Sequence, residues 1–196
     1  MPVKPSERSL VLARADAAAL GFSPERLGRI RTAMDREVAE GRLPGAVLAV
    51  ARRGKLAYLE AFGLRDAATG APMWADALFS IASMTKPMTS VAIMMLHEEG
   101  RLLLGDPVSR HLPALAGMRV ATPDGSGDTM AATREMTVQD LLRHTSGLTY
   151  RDRGTTPAHK LYPGSSIVAT VRHTREEFLA LLQRSPLIYE PGTVWD

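Results

Sequence analysis

The feature that most constrains the fold of this chain is the long apolar run at residues 82–99, which is closed by Gly100. Its length and its closing glycine predict an α-helix. Apolar side chains occupy one face and most of the remaining circumference: Met84, Met88, Val91, Ala92, Ile93, Met94, Met95 and Leu96. A helix that is apolar almost all the way round is normally buried. We therefore expect this helix to lie inside the folded protein.

Two short apolar segments precede this helix and are predicted to form a β-hairpin. Residues 46–51 and 56–62 are separated by the turn-like sequence Arg-Arg-Gly-Lys. Further upstream, Ser23 and Pro24 are typical of an N-cap and a first helical position. The helix that they begin should end at Gly41 and should pack an apolar stripe against the hairpin. That stripe consists of Leu27, Ile30, Met34 and Val38.

The second half of the chain predicts short helices joined by long loops. Residues 122–134 are rich in glycine, aspartate and threonine and are expected to form an exposed insertion. Residues 137–142 should form a short helix capped by their threonine, and residues 144–148 should form a turn. The sequence Thr-Arg-Glu-Glu at residues 174–177 has the spacing of a capping box. It should begin a helix that ends before Pro186.

Together these elements predict an α+β protein, in which a mixed α/β sheet domain accompanies a helical domain. We expect residues 1–22 to be a loosely held leader. Residues 23–80 should contribute the N-terminal part of the sheet domain. Residues 81–196 should contain the apolar helix and the helical domain.

Composition argues against several classes of function. The formal net charge of +3 comes from 24 basic and 21 acidic residues that are interspersed, so we expect no nucleic-acid binding. Without cysteine, the chain has no disulfides, no thiol catalysis and no cysteine-ligated metal. No stretch reaches the roughly 18 apolar residues of a membrane span, and charges interrupt the N-terminal segment. We therefore expect no membrane span and no signal peptide, and we predict a cytoplasmic location.

Ser83 and Lys86 lie at the start of the apolar helix, in a pattern that can activate a serine nucleophile. A serine hydroxyl attacks a carbonyl only when a neighbouring base takes its proton. A lysine can be that base if it is neutral, which burial and the positive end of a helix dipole both favour. A spacing of three residues puts the two side chains on one face of the helix. The backbone N–H of Ser83 would be free to stabilise an oxyanion.

The same two residues also have a purely structural interpretation. Ser83 could be only an N-cap, and Lys86 could be a solvated residue of the first turn. The chain has only four lysines, however, and Lys86 is the one within a strongly apolar helix. Burying an ammonium group there without a role would be costly. The residues alone leave both interpretations open.

The sequence Leu-Phe-Ser-Ile-Ala-Ser-Met-Thr-Lys-Pro at residues 78–87 resembles the nucleophile region of the serine β-lactamase and penicillin-binding-protein superfamily. It is most similar to the class C-like branch, which includes the β-lactamase-fold (family VIII) carboxylesterases. Other segments resemble the family in the same order: residues 45–62, residues 98–108, the sequence Leu-Leu-Arg-His-Thr-Ser-Gly-Leu at 141–148, and Pro-Gly-Thr at 191–193. The resemblance covers nearly the whole chain from residue 23 onward.

The resemblance implies a serine hydrolase that forms an acyl-enzyme on Ser83, with Lys86 as the base and with no metal or organic cofactor. Short-chain carboxylic esters are the expected small-molecule substrates. The alternative substrates are β-lactams and D-amino-acid peptides. The chain could instead be a non-catalytic homologue that only binds ligands, or an inactive fragment that lacks the catalytic tyrosine. Tyr150 is expected to bind substrate, although an ordinary loop tyrosine fits the sequence equally well. His144 is expected to stabilise its turn, and Asp106 is expected to fix its own loop.

The same resemblance bears on how much of an active site this chain can form. The family completes its site with a tyrosine a few residues after the Pro-Gly-Thr turn, and with a later strand motif such as Lys-Thr-Gly or His-x-Gly. Neither motif precedes Asp196, the last residue. The resemblance therefore implies an N-terminal portion of a serine β-lactamase-like fold. A complementary C-terminal polypeptide is the expected partner.

Overall fold

The computed structural model describes residues 12–166 and 172–196 of this chain. It contains two compact units, Met1–Ser80 and Ile81–Asp196, and both units combine helix with sheet. The α+β class expected from the sequence is therefore confirmed. Within the described ranges, no helix is both long enough and apolar enough to cross a membrane.

The first unit contains a helix, α1 (Pro24–Ala39), that starts and ends where the sequence predicts. The Ser23 hydroxyl accepts a hydrogen bond from a backbone N–H of the first turn at 3.3 Å. Gly41 follows the helix with a positive φ of 69°, which is a common way to end a helix. The apolar stripe is half-buried, whereas the other faces are mostly exposed. It packs against the sheet, because Val38 lies beside Gly63.

An antiparallel sheet with the strand order β1-β2-β3 accompanies this helix. The strands β1 (Gly45–Arg52) and β2 (Lys55–Asp66) form the predicted hairpin, and β3 (Ala71–Pro72) pairs with the far end of β2. Arg53 and Gly54, between the first two strands, have positive φ values of 53° and 70°. Two positive φ values give a type I′ turn, whose twist matches that of the strands. The hairpin prediction is confirmed.

The segment before α1, expected to be a loosely held leader through residue 22, is joined to β2 where the structure describes it. Leu56 donates its N–H to Ala13 O at 2.9 Å and accepts a hydrogen bond from Ala15 N–H at 3.1 Å. Leu20 is buried. The prediction is wrong for this segment because its backbone groups find partners on a strand. Residues 1–11 lie outside the described residues.

The second unit contains the apolar helix and several shorter elements. Among the described residues, its α-helices and strands are, in chain order, α2 (Thr85–Glu98), β4 (Arg119–Ala121), β5 (Thr129–Ala131), α3 (Val138–Leu142) and α4 (Arg175–Arg184). Thr137 and Thr174 cap α3 and α4, as the sequence predicts. Residues 122–134 are mostly exposed, as expected, and they contain β5, which pairs with β4. The buried Val120 of β4 anchors this hairpin in the core.

A hydrophobic cluster forms the core of the second unit: Val108, Leu115, Val120, Met136, Tyr162, Leu181, Leu182 and Leu187. Tyr162 is fully buried, and its hydroxyl donates a hydrogen bond to Pro186 O at 2.8 Å. Burial raises the pKa of Tyr162, so the hydroxyl remains a neutral donor. Of the described residues, none from α2 belongs to this cluster.

The burial expected for α2 is not found. None of its residues is buried, and Met88, Val91 and Met95 are each more than half exposed. Their apolar character therefore indicates a surface that needs a partner, without indicating which partner covers it. The prediction was wrong because the core of this unit closes around other elements. We refer to Met88, Val91 and Met95 as the α2 apolar face.

Candidate active site

Ser83 lies in a short 3-10 turn, Ala82–Met84, that leads into α2. The turn forms because Met84 N–H donates to Ile81 O at 2.9 Å. Ala82, directly before the serine, has a positive φ of 42°. A residue with a Cβ is strained in that region, and such strain often occurs at functional sites. The backbone therefore holds Ser83 in an unusual, well-defined position at the start of the helix.

Ser83 and Lys86 are in direct contact. Lys86 Nζ donates a hydrogen bond to Ser83 Oγ at 2.9 Å, which is within the range required for proton transfer. The first turn of α2 produces this contact, because residues three apart lie on one face. Both residues are exposed, so the burial that was expected to favour a neutral lysine is not found.

The backbone N–H of Ser83 is a further hydrogen-bond donor at this site. Within the described residues, it makes no backbone hydrogen bond, as expected for a group at the start of a helix. An N–H beside a nucleophile can stabilise the oxyanion that forms when a carbonyl is attacked. The site thus combines a serine hydroxyl, an adjacent amine and a backbone N–H that has no backbone partner among the described residues.

Two cavities border this site, and both are lined by Lys86, Leu141 and His144. The larger cavity has a volume of about 430 Å³ and runs along α2, where Ser90 is part of its wall. The smaller cavity has a volume of about 250 Å³ and is bordered by α4, through Leu182. Ser83 Oγ is therefore one hydrogen bond away from a side chain that lines both cavities.

Tyr150, the predicted substrate-binding residue, lines the smaller cavity together with Lys86. Its side chain is exposed and can reach a ligand. The neighbouring Thr149 also lines the cavity, and its buried hydroxyl has no hydrogen-bond partner among the described residues. Asp196 adds a carboxylate to the same wall and lies 4.0 Å from Arg153. This cavity therefore has an amine and a carboxylate beside an aromatic ring.

His144 belongs to a strained turn that holds the last described residues of the chain. It has a positive φ of 58°, its carbonyl accepts a hydrogen bond from Asp196 N–H at 3.0 Å, and its ring lies 5.9 Å from that of Trp195. Gly147, with a φ of 85°, has no room for a side chain, because a Cβ there would lie 2.2 Å from Tyr189 O. These contacts agree with the expectation that His144 stabilises the turn.

Two buried aspartates fix the loops around the site. Asp106 accepts a hydrogen bond from Leu103 N–H at 2.9 Å, and this bond, together with contacts to His111 and Arg110, lowers the pKa of Asp106. Burial raises the pKa of Asp140, but hydrogen bonds from Arg134 and Thr137 outweigh that effect and hold its pKa at about 2. Asp106 therefore fixes its own loop, as expected.

Arg134 is a residue that the sequence did not single out. Its guanidinium pairs with Asp140 at 2.6 Å and also lies against Gly192, where a Cβ would be 2.2 Å from it. It thereby joins the start of α3 to the Pro-Gly-Thr turn. An arginine a few residues before an aspartate in the first turn of a helix is too common a sequence pattern to predict this contact. Over the described part of the chain, no group of three or more histidine or acidic side chains could hold a metal ion.

Comparison with known proteins places this geometry in a family. Residues 30–196 match the family model described as "Beta-lactamase". The chain is 40% identical over 161 residues to Protein Rv1367c of Mycobacterium tuberculosis, covering 80% of this chain and 39% of that protein. It is 36% identical over 181 residues to Esterase EstB of Burkholderia gladioli, covering 92% of this chain and 42% of that protein.

A solved structure extends the comparison to the fold. EstCE1, described as a hydrolase with promiscuous acyltransferase activity, aligns with a TM-score of 0.68 and 30% sequence identity, over 91% of this chain and 43% of that chain. The chain therefore spans about two fifths of the length of these relatives. The family match and the shared fold lead to one conclusion: this chain belongs to the beta-lactamase family and has a serine β-lactamase-like fold.

Proposed function

We propose that the protein is a serine hydrolase that cleaves short-chain carboxylic esters through an acyl-enzyme on Ser83. The observation that carries this proposal is the 2.9 Å hydrogen bond between Lys86 Nζ and Ser83 Oγ. Membership of the beta-lactamase family and similarity to an esterase support it. The cytoplasmic location expected from the sequence stays a prediction.

The chemistry follows from these groups. Neutral Lys86 takes the hydroxyl proton as Ser83 Oγ attacks the ester carbonyl, and the Ser83 N–H stabilises the oxyanion. The carbon–oxygen bond to the alcohol then breaks, and the alcohol leaves with the proton that Lys86 had taken. Water attacks the resulting ester of Ser83, which releases the carboxylic acid and restores the serine.

We further propose that a complementary C-terminal polypeptide completes the site. Two observations support this: the chain spans about two fifths of its relatives, and the α2 apolar face is exposed. A polypeptide that covered this face would remove its apolar side chains from water. It would also supply the tyrosine and the later strand motif that the family resemblance implies.

Covalent labelling tests the role of Ser83. The chain is incubated with p-nitrophenyl acetate, its intact mass is recorded, and the modified peptide is identified. We expect one acetyl group on Ser83, none in Ser83→Ala, and normal labelling in Ser90→Ala, whose serine lines the larger cavity with Lys86. Equal labelling of Ser83→Ala and the unmodified chain would refute the assignment.

Lys86→Met tests the role of the base in the same assay. We expect labelling to slow by about 100- to 10,000-fold, the usual contribution of a general base. An unchanged rate would remove Lys86 from the mechanism. A β-lactam that labels Ser83 faster than the ester would favour the β-lactamase alternative. Reversible binding of esters without any adduct would favour the non-catalytic homologue.

A further inference from the structure

A third cavity in the second unit lies apart from the site at Ser83. Its volume is about 440 Å³, and it shares no lining residue with either cavity beside Lys86. Its described lining comes from β4, β5, the loop between them, and two segments at 156–159 and 188–193. Val120, which belongs to the hydrophobic core, and Ile188, which packs against that core, both line it. Because protein cores are close-packed, these residues give the cavity a firm apolar wall.

The loop between β4 and β5 is held against another part of the cavity wall. A Cβ at Gly127 would lie 3.2 Å from Pro157, so the loop packs directly against the segment at 156–159. Within the loop, Asp124 accepts a hydrogen bond from Thr122 Oγ1 at 2.7 Å, which orders the backbone there. The cavity is therefore formed by contacts among core, hairpin and loop residues, and the α2 apolar face does not line it.

Glu190 is the only acidic residue among the described lining residues, and none of them is a lysine or an arginine. Its Oε2 accepts hydrogen bonds from the N–H and the hydroxyl of Thr133, at 3.0 and 2.9 Å. Its Oε1 is buried and has no hydrogen-bond partner among the described residues. Arg134, whose charge interacts with that of Glu190, already donates both terminal nitrogens to Asp140. A buried carboxylate oxygen without a donor is costly, so a donor supplied by a ligand would be favourable.

His159 is a second polar residue of the lining that the proposed reaction does not use. It is buried, and its Nδ1 lies 2.7 Å from Thr156 Oγ1, which fixes the ring. Within the described ranges, its other ring nitrogen makes no hydrogen bond. Tyr189 also lines the cavity, and aromatic rings attract organic cations. The cavity thus combines a carboxylate, an imidazole and a phenol with apolar walls.

These groups together indicate the chemistry of a ligand. A carboxylate binds a cation and repels an anion, and apolar walls bind an apolar body. We propose that this cavity is a second ligand site, which binds a small organic ammonium ion with an apolar body. The ammonium group pairs with Glu190, and the apolar body lies against Val120 and Ile188. This inference does not depend on the proposed acylation of Ser83.

Three probes of similar size test the preference for a cation: benzylamine, benzyl alcohol and benzoate. Each is titrated into the unmodified chain, and side-chain methyl resonances are followed by NMR. We expect benzylamine to bind with a millimolar Kd, because so small a probe makes few contacts. It should shift the methyls of Val120, Met130 and Ile188, which line the cavity. The methyls of Val108 and Leu115, core residues outside the lining, should not shift.

The two other probes decide the role of charge. Benzyl alcohol should bind at least about tenfold more weakly than benzylamine, the difference expected when a hydrogen bond to a charged group is lost. Benzoate should cause no shift at these methyls. Equal binding of benzylamine and benzyl alcohol, no binding of benzylamine, or shifts confined to methyls outside the lining would each overturn the proposal.

Glu190→Gln tests the residue itself, since glutamine keeps an oxygen for Thr133 but removes the charge. We expect it to weaken benzylamine binding by about 10- to 100-fold and to leave benzyl alcohol almost unaffected. Glu135→Gln is the matched control, because Glu135 accepts hydrogen bonds from Ser109 and Gly117 but does not line the cavity. Thermal melts check that both variants fold. Unchanged benzylamine binding in Glu190→Gln, or an equal loss in both variants, would refute the assignment; if Glu190→Gln does not fold, the three probes on the unmodified chain decide.

Discussion

Helices α2 and α4 belong to the same compact unit but use their apolar side chains in opposite ways. The more apolar helix, α2, has no buried residue, whereas α4 carries several charges and still buries Leu181 and Leu182 in the core. The two helices differ in what they pack against. Helix α4 contributes to the hydrophobic cluster of this unit, whereas no residue of the α2 apolar face belongs to that cluster. Apolar sequence thus shows that a helix needs a partner, but it does not identify that partner.

The largest expected change in the free energy of unfolding comes from comparing a core leucine with an exposed methionine. We expect Leu187→Ala, which truncates an almost fully buried side chain, to lower the free energy of unfolding by about 3 kcal/mol. Met95→Ala, on the α2 apolar face, should change it by less than about 0.5 kcal/mol. Urea denaturation followed by circular dichroism measures both. Equal losses would show that α2 is packed after all.

A second prediction concerns the charge buried beside the core. Asp140 has a pKa of about 2, below the ordinary value of 3.8, so its ionised form is favoured by folding. Its contribution, about 2 kcal/mol, is present above about pH 4 and is lost as the pH falls towards 2. Asp140→Asn should remove this pH dependence, whereas Asn at the exposed Asp128 should not. Urea midpoints of both variants are measured across this pH range. The same pH dependence of stability in both would contradict the prediction.

A substitution in the strained turn at the start of α2 should change the free energy of unfolding by a smaller amount and in the opposite direction. Glycine adopts a positive φ without strain, so Ala82→Gly should raise the free energy of unfolding by about 1 kcal/mol. Ala92→Gly, in the interior of the same helix, should lower it by about the same amount. Thermal melts of the two variants provide the comparison. A loss of stability in both would mean that Ala82 is not strained.

Substitutions on the α2 apolar face should have the smallest effect on stability. Self-association of the protein is the more sensitive measurement there. Replacing Met88 and Val91 together with glutamine should leave unfolding almost unchanged, because both side chains are more than half exposed. The fraction of monomer in sedimentation velocity should rise, since an exposed apolar patch promotes association. Thr89→Gln, on the same helix, should change neither quantity. Equal self-association of the unmodified protein, the double variant and Thr89→Gln would show that this face does not drive association.

Local signals in the sequence predicted local structure well. Ser23 and Thr174 cap helices, and the turn at Arg53 and Gly54 makes a hairpin, because each depends on neighbours a few residues away. The contact between Ser83 and Lys86 is predictable for the same reason. The exposure of α2 and the role of Leu182 in a cavity beside Lys86 depend on residues far apart in the chain. No pattern within one segment specifies those contacts.

The turn around His144 and Gly147 also has a consequence for the order in which the molecule forms. Its carbonyls accept hydrogen bonds from the backbones of Ile188, Gly192 and Asp196, including the bond from Gly192 N–H to Thr145 O at 2.7 Å. During synthesis, these donors leave the ribosome well after the Ser83 turn. The Ser83 turn can fold early because its bonds are local, whereas the smaller cavity, which includes Asp196, must wait. A nascent chain would therefore form its Ser83 turn before it forms the smaller cavity.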